Sequence, residues 1–570
     1  MHLKTLVGAV LATNLRRPSR LVRILVGQVR GIAGFPDADG VISSPYGTMD
    51  FPSTMLHETF FEQISRFELR LALECSDTHR TYTFRQLRKS ANALAASCQN
   101  KLKLGRGDVL AAYIPNLPEY PVLFLAASLC GAIITTVNSG YRHAEVARQI
   151  DASDAKVIFT TIALYPVVRM ALNSLKRERP IVIIKDHEQQ YIPEGTINYF
   201  EFTDPSSCGD LQKTSATHDD VYVLPFSSGT TGLPKGVQLM HRNMVANMLQ
   251  VCHAKDKFGL KPSSYETVLG LLPMFHIYGI TAITLTSLCS GATIITMPRF
   301  DPFVFLDLIA HRKVTTLYLV PPLILFLTNH PIVKSEYLRN VRLVINGASP
   351  IGESDMAKLH AKAQHLVLGQ GYGMTETSPV VLIFNENTSH KRGGTGIPVV
   401  STKVKVVDID TQQAVKANTP GELWVKGPQV MKGYLNNPTA TESTFHDGWF
   451  KTGDLCYYDE EGVFFIEDRL KDMIKVKGFQ VAPAELEELL RMHPKIEDAA
   501  VIGIGNQKKG EVPKAFVVVR HGEKATEEEI KNYVKGKVAE YKQLDGGVVF
   551  VKSIPKSPSG KILKTQLKSM

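Results

Sequence analysis

Several residues in this chain have the types and spacing to do chemistry. Ser227-Ser228-Gly229-Thr230-Thr231-Gly232-Leu233-Pro234-Lys235-Gly236 follows an apolar run ending near Pro225 and precedes a helical pattern from about His241. Glycines let consecutive backbone N–H groups point outward, hydroxyls add donors, and Lys235 adds positive charge, a combination suited to a polyphosphate. The GxxxxGK[ST] spacing is absent, and no Ser or Thr follows Lys235 to hold magnesium. On composition alone the stretch also fits a Gly/Ser/Thr turn. Other candidates are individually plain. Lys561 sits in the Gly/Ser/Pro-rich run Pro555 to Lys561, where a lysine is ordinarily solvated. Glu376 alone reads as a surface acid, Asp454 after Gly453 as a turn former, and His276 in the run Leu272 to Ile277 as a core histidine.

The elements that must position these residues read as an α/β fold. From about residue 50 to 465, strand-like runs alternate with helical stretches: Val109 to Ile114, Lys156 to Thr160, Ile181 to Ile184, Val221 to Pro225, Thr316 to Leu319 and Val341 to Ile345. A parallel sheet covered on both faces demands such near-continuous apolar strands. Tyr120 to Tyr141 and Thr267 to Pro298 lack Asp, Glu, Lys and Arg over lengths that could span a membrane. Gly, Pro, Ser, Thr or Asn interrupt both, so each is expected to be a buried helix followed by a buried strand, Gly131 to Val137 and Ala292 to Met297. After Gly462 the composition shifts, and Arg469 to Lys477 is rich in basic residues. An α+β pattern follows: a helix from Pro483 to Met492, strands at Ala499 to Ile504 and Ala515 to Arg520, a helix from Thr526 to Lys537, and a strand from Gly547 to Val551. A domain boundary is expected at about residue 470.

The 570 residues carry 65 Lys plus Arg against 55 Asp plus Glu, a net charge of +10. Such a surplus raises the question of a nucleic-acid partner. Its location answers that question. Residues 1 to 36 hold Lys4, Arg16, Arg17, Arg20, Arg23 and Arg30 with no acid, and the rest of the chain has 59 basic against 55 acidic residues. The surplus is therefore mostly N-terminal, and no nucleic-acid partner is expected. With Leu15, Leu21, Val22, Ile24, Leu25 and Val29 between the charges, this leader reads as an amphipathic transit peptide, which would make the protein mitochondrial. The alternative is an uncleaved leader with peripheral membrane contact and a cytoplasmic or peroxisomal protein. The terminal Leu567-Lys568-Ser569-Met570 is not a Ser-Lys-Leu peroxisomal address. Hydrophobic residues at 44% and charged residues at 21% exclude disorder, collagen and coiled coil. The seven cysteines are scattered, odd in number and never spaced CxxC, which points to a reducing compartment and to small buried hydrophobes.

Taken together, the chemical candidates resemble one family. Ser227 to Gly236 closely resembles the phosphate loop of the adenylate-forming superfamily of acyl-CoA synthetases, 4-coumarate:CoA ligases and beetle luciferases. Further signatures of that family follow in its order: Leu272-Pro273-Met274-Phe275-His276-Ile277-Tyr278-Gly279, Asn346-Gly347-Ala348-Ser349-Pro350, Gln370-Gly371-Tyr372-Gly373-Met374-Thr375-Glu376 and Gly421-Glu422-Leu423. Then come Gly448-Trp449-Phe450-Lys451-Thr452-Gly453-Asp454, Asp468-Arg469-Leu470-Lys471, Lys475-Val476-Lys477-Gly478-Phe479-Gln480-Val481-Ala482-Pro483 and Pro555-Lys556-Ser557-Pro558-Ser559-Gly560-Lys561. The resemblance covers roughly residues 50 to 567. It implies a large multi-sheet N-terminal adenylation domain (50–469) and a small mobile α+β C-terminal lid (470–570).

The resemblance also implies roles. ATP would place its β- and γ-phosphates on Ser227, Ser228, Gly229, Thr230, Thr231, Gly232 and Lys235. Glu376 would bind Mg²⁺ with Thr230 nearby. Gln370, Gly371 and Tyr372 would line the adenine site, Thr375 would approach the α-phosphate, and Asp454 with Arg469 would hold the ribose. His276, Tyr278, Asn346, Gly347 and Gly371 would wall the acyl pocket, with His276 near the substrate carboxylate. Lys561 would supply the mobile positive charge of the first half-reaction, because a carboxylate nucleophile needs charge cancellation more than a base. The second half-reaction would follow rotation about Lys471. Lys475 and Gln480 would face the adenylate in one of the two states, and Lys477 and Gly478 would lie along coenzyme A. The expected activity is an ATP-dependent acid:CoA ligase acting on a fatty acid or aryl-propenoate, with no partner protein implied. A luciferase-like oxygenase sharing the adenylation step is the alternative. Asn346 stands where many relatives carry another small residue, so the resemblance does not set the choice of acid.

Overall fold

The computed structural model describes residues 36–227, 234–257, 266–385, 388, 391, 393–476 and 479–570. Two nine-stranded sheets form the bulk of the N-terminal part. In the first, Ile133–Thr136, Val109–Tyr113, Val157–Thr161 and Ile181–Ile184 pair in parallel, and Val109–Tyr113, Val157–Thr161 and Ile181–Ile184 bury every side chain. Their unbroken apolar runs follow from cover on both faces. In the second, a parallel core runs through Val367–Gly373, Leu343–Asn346, Thr316–Leu319, Thr267–Gly270, Thr293–Thr296 and Leu71–Cys75. A six-stranded antiparallel sheet contains Lys403–Val407, Gly421–Lys426, Trp449–Tyr458 and Phe464–Arg469.

The first charge-free stretch is the expected helix and strand. Glu119–Cys130 is a helix with every residue buried, as a helix apolar on all sides must be, and Ile133–Thr136 follows it. The single charge of that helix is clamped. Arg80 Nε and Nη2 donate to the two Glu119 oxygens at 2.8 and 3.2 Å, and Tyr82 adds its hydroxyl at 3.1 Å. Arg80 follows the Leu71–Cys75 strand of the second sheet, and its Nη1 also donates to the carbonyls of Lys185 and Asp186, beyond the Ile181–Ile184 strand of the first. One half-buried guanidinium thus ties the two large sheets together.

The second stretch departs from expectation. It contains an additional strand, Thr267–Gly270, and its helical part is a π-helix, Tyr278–Leu285, running into Thr286–Cys289 before the strand Thr293–Thr296. Gly279 explains the tight entry, since a Cβ there would lie 2.1 Å from the Pro273 carbonyl oxygen. No helix among the described residues is long and apolar enough to cross a membrane.

Past Asp472 the chain builds a separate five-stranded sheet from Ile474–Val476, Phe479–Val481, Ile496–Asn506, Gly510–Val519 and Val548–Phe550. It has its own core of Leu486, Leu490, Val501, Val517, Ile530 and Val534. The expected strands at Ala499 to Ile504 and Ala515 to Arg520 belong to one long hairpin, Ile496–Asn506 with Gly510–Val519, whose polar turn end hid its length. This unit meets the rest at Asp355–Arg491 (3.5 Å), at Gly352 against Glu488, and where Gly560 sits on Val320 and Pro322.

Candidate active site

The carboxyl ends of Ile133–Thr136, Leu343–Asn346 and Val367–Gly373 open onto one cleft of about 1030 Å³, the place where parallel sheets leave room for ligands. Residues past 480 close its far side, including Glu488, Arg491 and Ser557 to Thr565. Ser227, Lys235, His276, Tyr278, Asn346, Gly347, Gln370, Gly371, Tyr372, Thr375, Glu376, Asp454, Arg469, Lys471 and Lys561 all line it.

At the phosphate end, Ser227 pairs with Lys235 across an antiparallel register. Ser228, Gly229, Thr230, Thr231 and Gly232 lie outside the described residues. Glu376 is 6% exposed, and its Oε1 accepts from the Tyr434 hydroxyl at 2.9 Å and from Ser227 Oγ at 3.5 Å. Lys235 Nζ stands 4.9 Å from the centre of the same Tyr434 ring. Burial and the Glu376 carboxylate hold the Tyr434 phenol protonated. Tyr434 is a site residue that the sequence did not reveal, because no spacing joins a lone tyrosine to an acid 58 positions away.

At the ribose end, Asp454 and Arg469 face each other across two antiparallel strands. Arg469 Nε lies 3.4 Å from Asp454 Oδ1, and the Tyr372 hydroxyl donates to Oδ2 at 2.6 Å. Burial and Asp454 push the Tyr372 phenol well above its ordinary pKa. The carboxylate remains a strong acceptor with lone pairs to spare for vicinal hydroxyls.

Gln370 and Asn346 line the cleft but spend their amides on the wall. Asn346 Nδ2 donates to Gln370 Oε1 at 2.9 Å and to the Ser349 carbonyl at 2.8 Å, and Gln370 Oε1 also accepts from the Ile351 N–H at 3.1 Å. The brace holds a strained turn, in which Ala348 has φ +66° and the Ser349 N–H closes back on the Gly347 carbonyl at 2.8 Å. These two amides therefore brace the loop that walls the cleft. Gly347 lies on the branch of the cleft expected to take the acyl group: a Cβ there would sit 2.8 Å from the Tyr278 ring. Gly347→Ala is expected to push that ring into the branch and raise KM for the acid about tenfold, with KM for ATP unchanged in the same steady-state assay.

Lys561 closes the cleft. Its backbone is held in a turn, with the Ser557 N–H donating to the Lys561 carbonyl at 2.7 Å and the Lys561 N–H to Ser557 Oγ at 3.1 Å. Burial, then the neighbouring Arg469, push its ammonium down to about 8 against the pull of Asp454 and Glu376. Burial and Lys561 push His276 down to about 4, so the imidazole is neutral near pH 7. The Tyr278 N–H approaches His276 Nδ1 at 3.3 Å, which assigns the proton to Nε2 and makes that nitrogen a donor.

The remaining expected residues are not gathered here. Lys475 and Gln480 pair across the Ile474–Val476 and Phe479–Val481 hairpin, exposed and off the cleft. One rigid unit presents one face at a time, so these two do not share the site with Lys561 in this pose. Lys477 and Gly478 lie outside the described residues, as does the leader except for Pro36. Lys471, in the short turn Leu470–Asp472, lines the cleft and is pushed down to about 8 by burial.

Comparison with known proteins agrees with this geometry. The profile described as "AMP-binding enzyme" matches residues 60–435, and the one described as "AMP-binding enzyme C-terminal domain" matches residues 485–561. The chain is 40% identical over 521 residues to 4-coumarate–CoA ligase 1 of Arabidopsis thaliana, covering 90% of this chain and 92% of that one. It is 40% identical over 540 residues to 4-coumarate–CoA ligase 1 of Petroselinum crispum, covering 94% and 97%. Among solved structures, ATP-bound MatB from Rhodopseudomonas palustris superposes with a TM-score of 0.80 at 26% identity, over 90% of this chain and 99% of that one. With both profiles matched in order around one cleft, the chain belongs to the AMP-binding enzyme family.

Proposed function

We propose that this chain, an ATP-dependent and AMP-forming acid–CoA ligase, takes an aryl-propenoate as its acid. The observation that carries the reaction is the convergence of Lys561, Glu376 and Asp454 on one cleft. The acid is supported by the 4-coumarate–CoA ligases among the relatives and by the aromatic wall of Phe275, Tyr278 and Tyr318. In the first step a carboxylate oxygen attacks the α-phosphorus of ATP, and pyrophosphate leaves. In the second the thiol of coenzyme A attacks the acyl carbon, AMP leaves and the thiol proton is released.

Each residue contributes by position. His276 Nε2–H orients the carboxylate, and the Lys561 ammonium cancels charge gathering between carboxylate and phosphoryl oxygens. Ser227 and Lys235 draw the departing phosphates away, and Asp454 with Arg469 fixes the ribose. Glu376 has an oxygen left over beyond Oε1, so it suits Mg²⁺, which binds through few carboxylates plus phosphates and would supply further charge cancellation. We assign domains 50–469 and 470–570, with Lys471 as the hinge that exchanges Lys561 for Lys475 and Gln480.

Product analysis with ATP, coenzyme A and a panel of aromatic and aliphatic acids tests the substrate reading. A preference for aliphatic acids over all aryl-propenoates would overturn it. The pKa of Lys561 adds a pH test. Only the protonated amine serves adenylation, so the active form is complete below about pH 8 and lost above it. Pyrophosphate release without coenzyme A is expected to fall along an alkaline limb near 8 in kcat/KM for ATP. Lys561→Arg, which stays protonated, is expected to move that limb upward. An unmoved limb would assign it to another group.

A further inference from the structure

We propose that the acyl branch of the cleft ends in a polar reader made of Lys255 and Tyr318, which selects acids carrying a neutral hydrogen-bonding oxygen at the end remote from the carboxylate. The inference rests on the ligase reading and adds the residues that choose among acids.

Lys255 lies on the His241–Lys257 helix, is only 5% exposed, and lines the cleft beside Val251, Ala282 and Tyr318. Its Nζ sits 3.2 and 3.5 Å from the two oxygens of buried Glu266, which also accepts from Thr316 Oγ1 at 2.9 Å. An ammonium has three N–H groups, and Glu266 accounts for two directions. The same Nζ lies 6.0 Å from the centre of the Tyr318 ring. Tyr318 is 2% exposed, and its hydroxyl lies beside Ser287 Oγ and Lys255 Nζ without a well-formed hydrogen bond to either. The Tyr318 ring meets Tyr278 edge to face at 6.1 Å, and Tyr278 stands against Gly347. An aromatic wall therefore runs from the strained Gly347–Ser349 turn to a charged pair beside a phenol with no well-formed hydrogen bond.

A buried ion pair gives little stability that apolar packing of the same volume would not, and a buried hydroxyl without a partner costs stability. Both features at the wall of a cavity suit ligand recognition, where a few placed polar groups in an apolar pocket set specificity. Lys255 and Glu266 together are neutral. A second carboxylate would meet Glu266, whereas a phenol, alcohol or ketone oxygen can accept from Lys255 and exchange a hydrogen bond with Tyr318.

The test is kcat/KM of the full-length chain for two matched pairs, 4-coumarate with cinnamate and an ω-hydroxy fatty acid with its parent acid. In at least one pair the oxygenated acid is expected to lead by about tenfold or more. Tyr318→Phe is expected to bring that pair close to parity by raising KM for the oxygenated acid alone. Its melting temperature should hold, since the lost hydroxyl makes no well-formed hydrogen bond. Lys255→Met is expected to act in the same direction, and Tyr318→Phe decides the matter where Lys255→Met unfolds. Parity in both pairs for the unaltered chain, or a preference that survives Tyr318→Phe, overturns the proposal and leaves the ligase reading standing. No thioester from any of these acids overturns both.

Discussion

Lys561→Ala is expected to lower acyl-adenylate formation by about 10²- to 10³-fold, the range found when one preorganised charge-stabilising donor is removed. Acid and ATP should still bind, because the cleft walls that contact them belong to other elements. Thioester formation from supplied acyl-adenylate should stay near the unaltered rate, since the proposed exchange about Lys471 assigns that step to a pose in which Lys561 has withdrawn. Rapid-quench measurement of each half-reaction checks the division. Equal loss of both would mean that the lysine serves the site structurally. The turn from Ser557 to Lys561 is closed by backbone hydrogen bonds and Ser557 Oγ, so removal of the side chain should leave it intact.

Asp454→Ala is expected to raise KM for ATP about 10- to 100-fold, the equivalent of the roughly 1.5–3 kcal/mol that hydrogen bonds to a charged group contribute. The carboxylate is 5% exposed and holds both the Tyr372 phenol and Arg469. The same change should therefore also lower the melting temperature. Asp454→Asn separates the effects. It keeps the shape and an acceptor for Tyr372 but loses the charge, so its melting temperature should lie nearer that of the unaltered chain. If its KM for ATP were also unchanged, the ribose role would be wrong.

Much of this fold was legible because local sequence and burial agree. Val109 to Ile114 and Ile181 to Ile184 are strands because runs without polar interruption suit a sheet covered on both faces. The helix from Glu119 was legible for the same reason. The π-helix at Tyr278 was not, because its wider turn answers to packing against Pro273 and leaves no periodicity in eight residues. At the site, residues within contiguous signatures were placed on the cleft: Glu376, Asp454, Arg469 and Lys561. Contacts between distant segments were hidden. Tyr434 reaches Glu376, and Asn346 is spent on Gln370, only once three-dimensional neighbours are known. Lys475 and Gln480 show a different limit: they belong to a contiguous signature, yet the hairpin that carries them stands exposed and off the cleft.

The fork of Arg80 on Glu119 and on the Lys185 and Asp186 carbonyls has a consequence for how such an enzyme diversifies. By fastening the two large sheets to each other, it braces the wall that on the proposed reading chooses the acid, while the unit beyond residue 470 keeps its own core. On that reading, selectivity and turnover would thereby be inherited on separate parts of one gene product. Drift around Lys255, Tyr318 and Gly347 would trade one acid for another without retuning the C-terminal unit, and drift in that unit would alter speed without changing the diet.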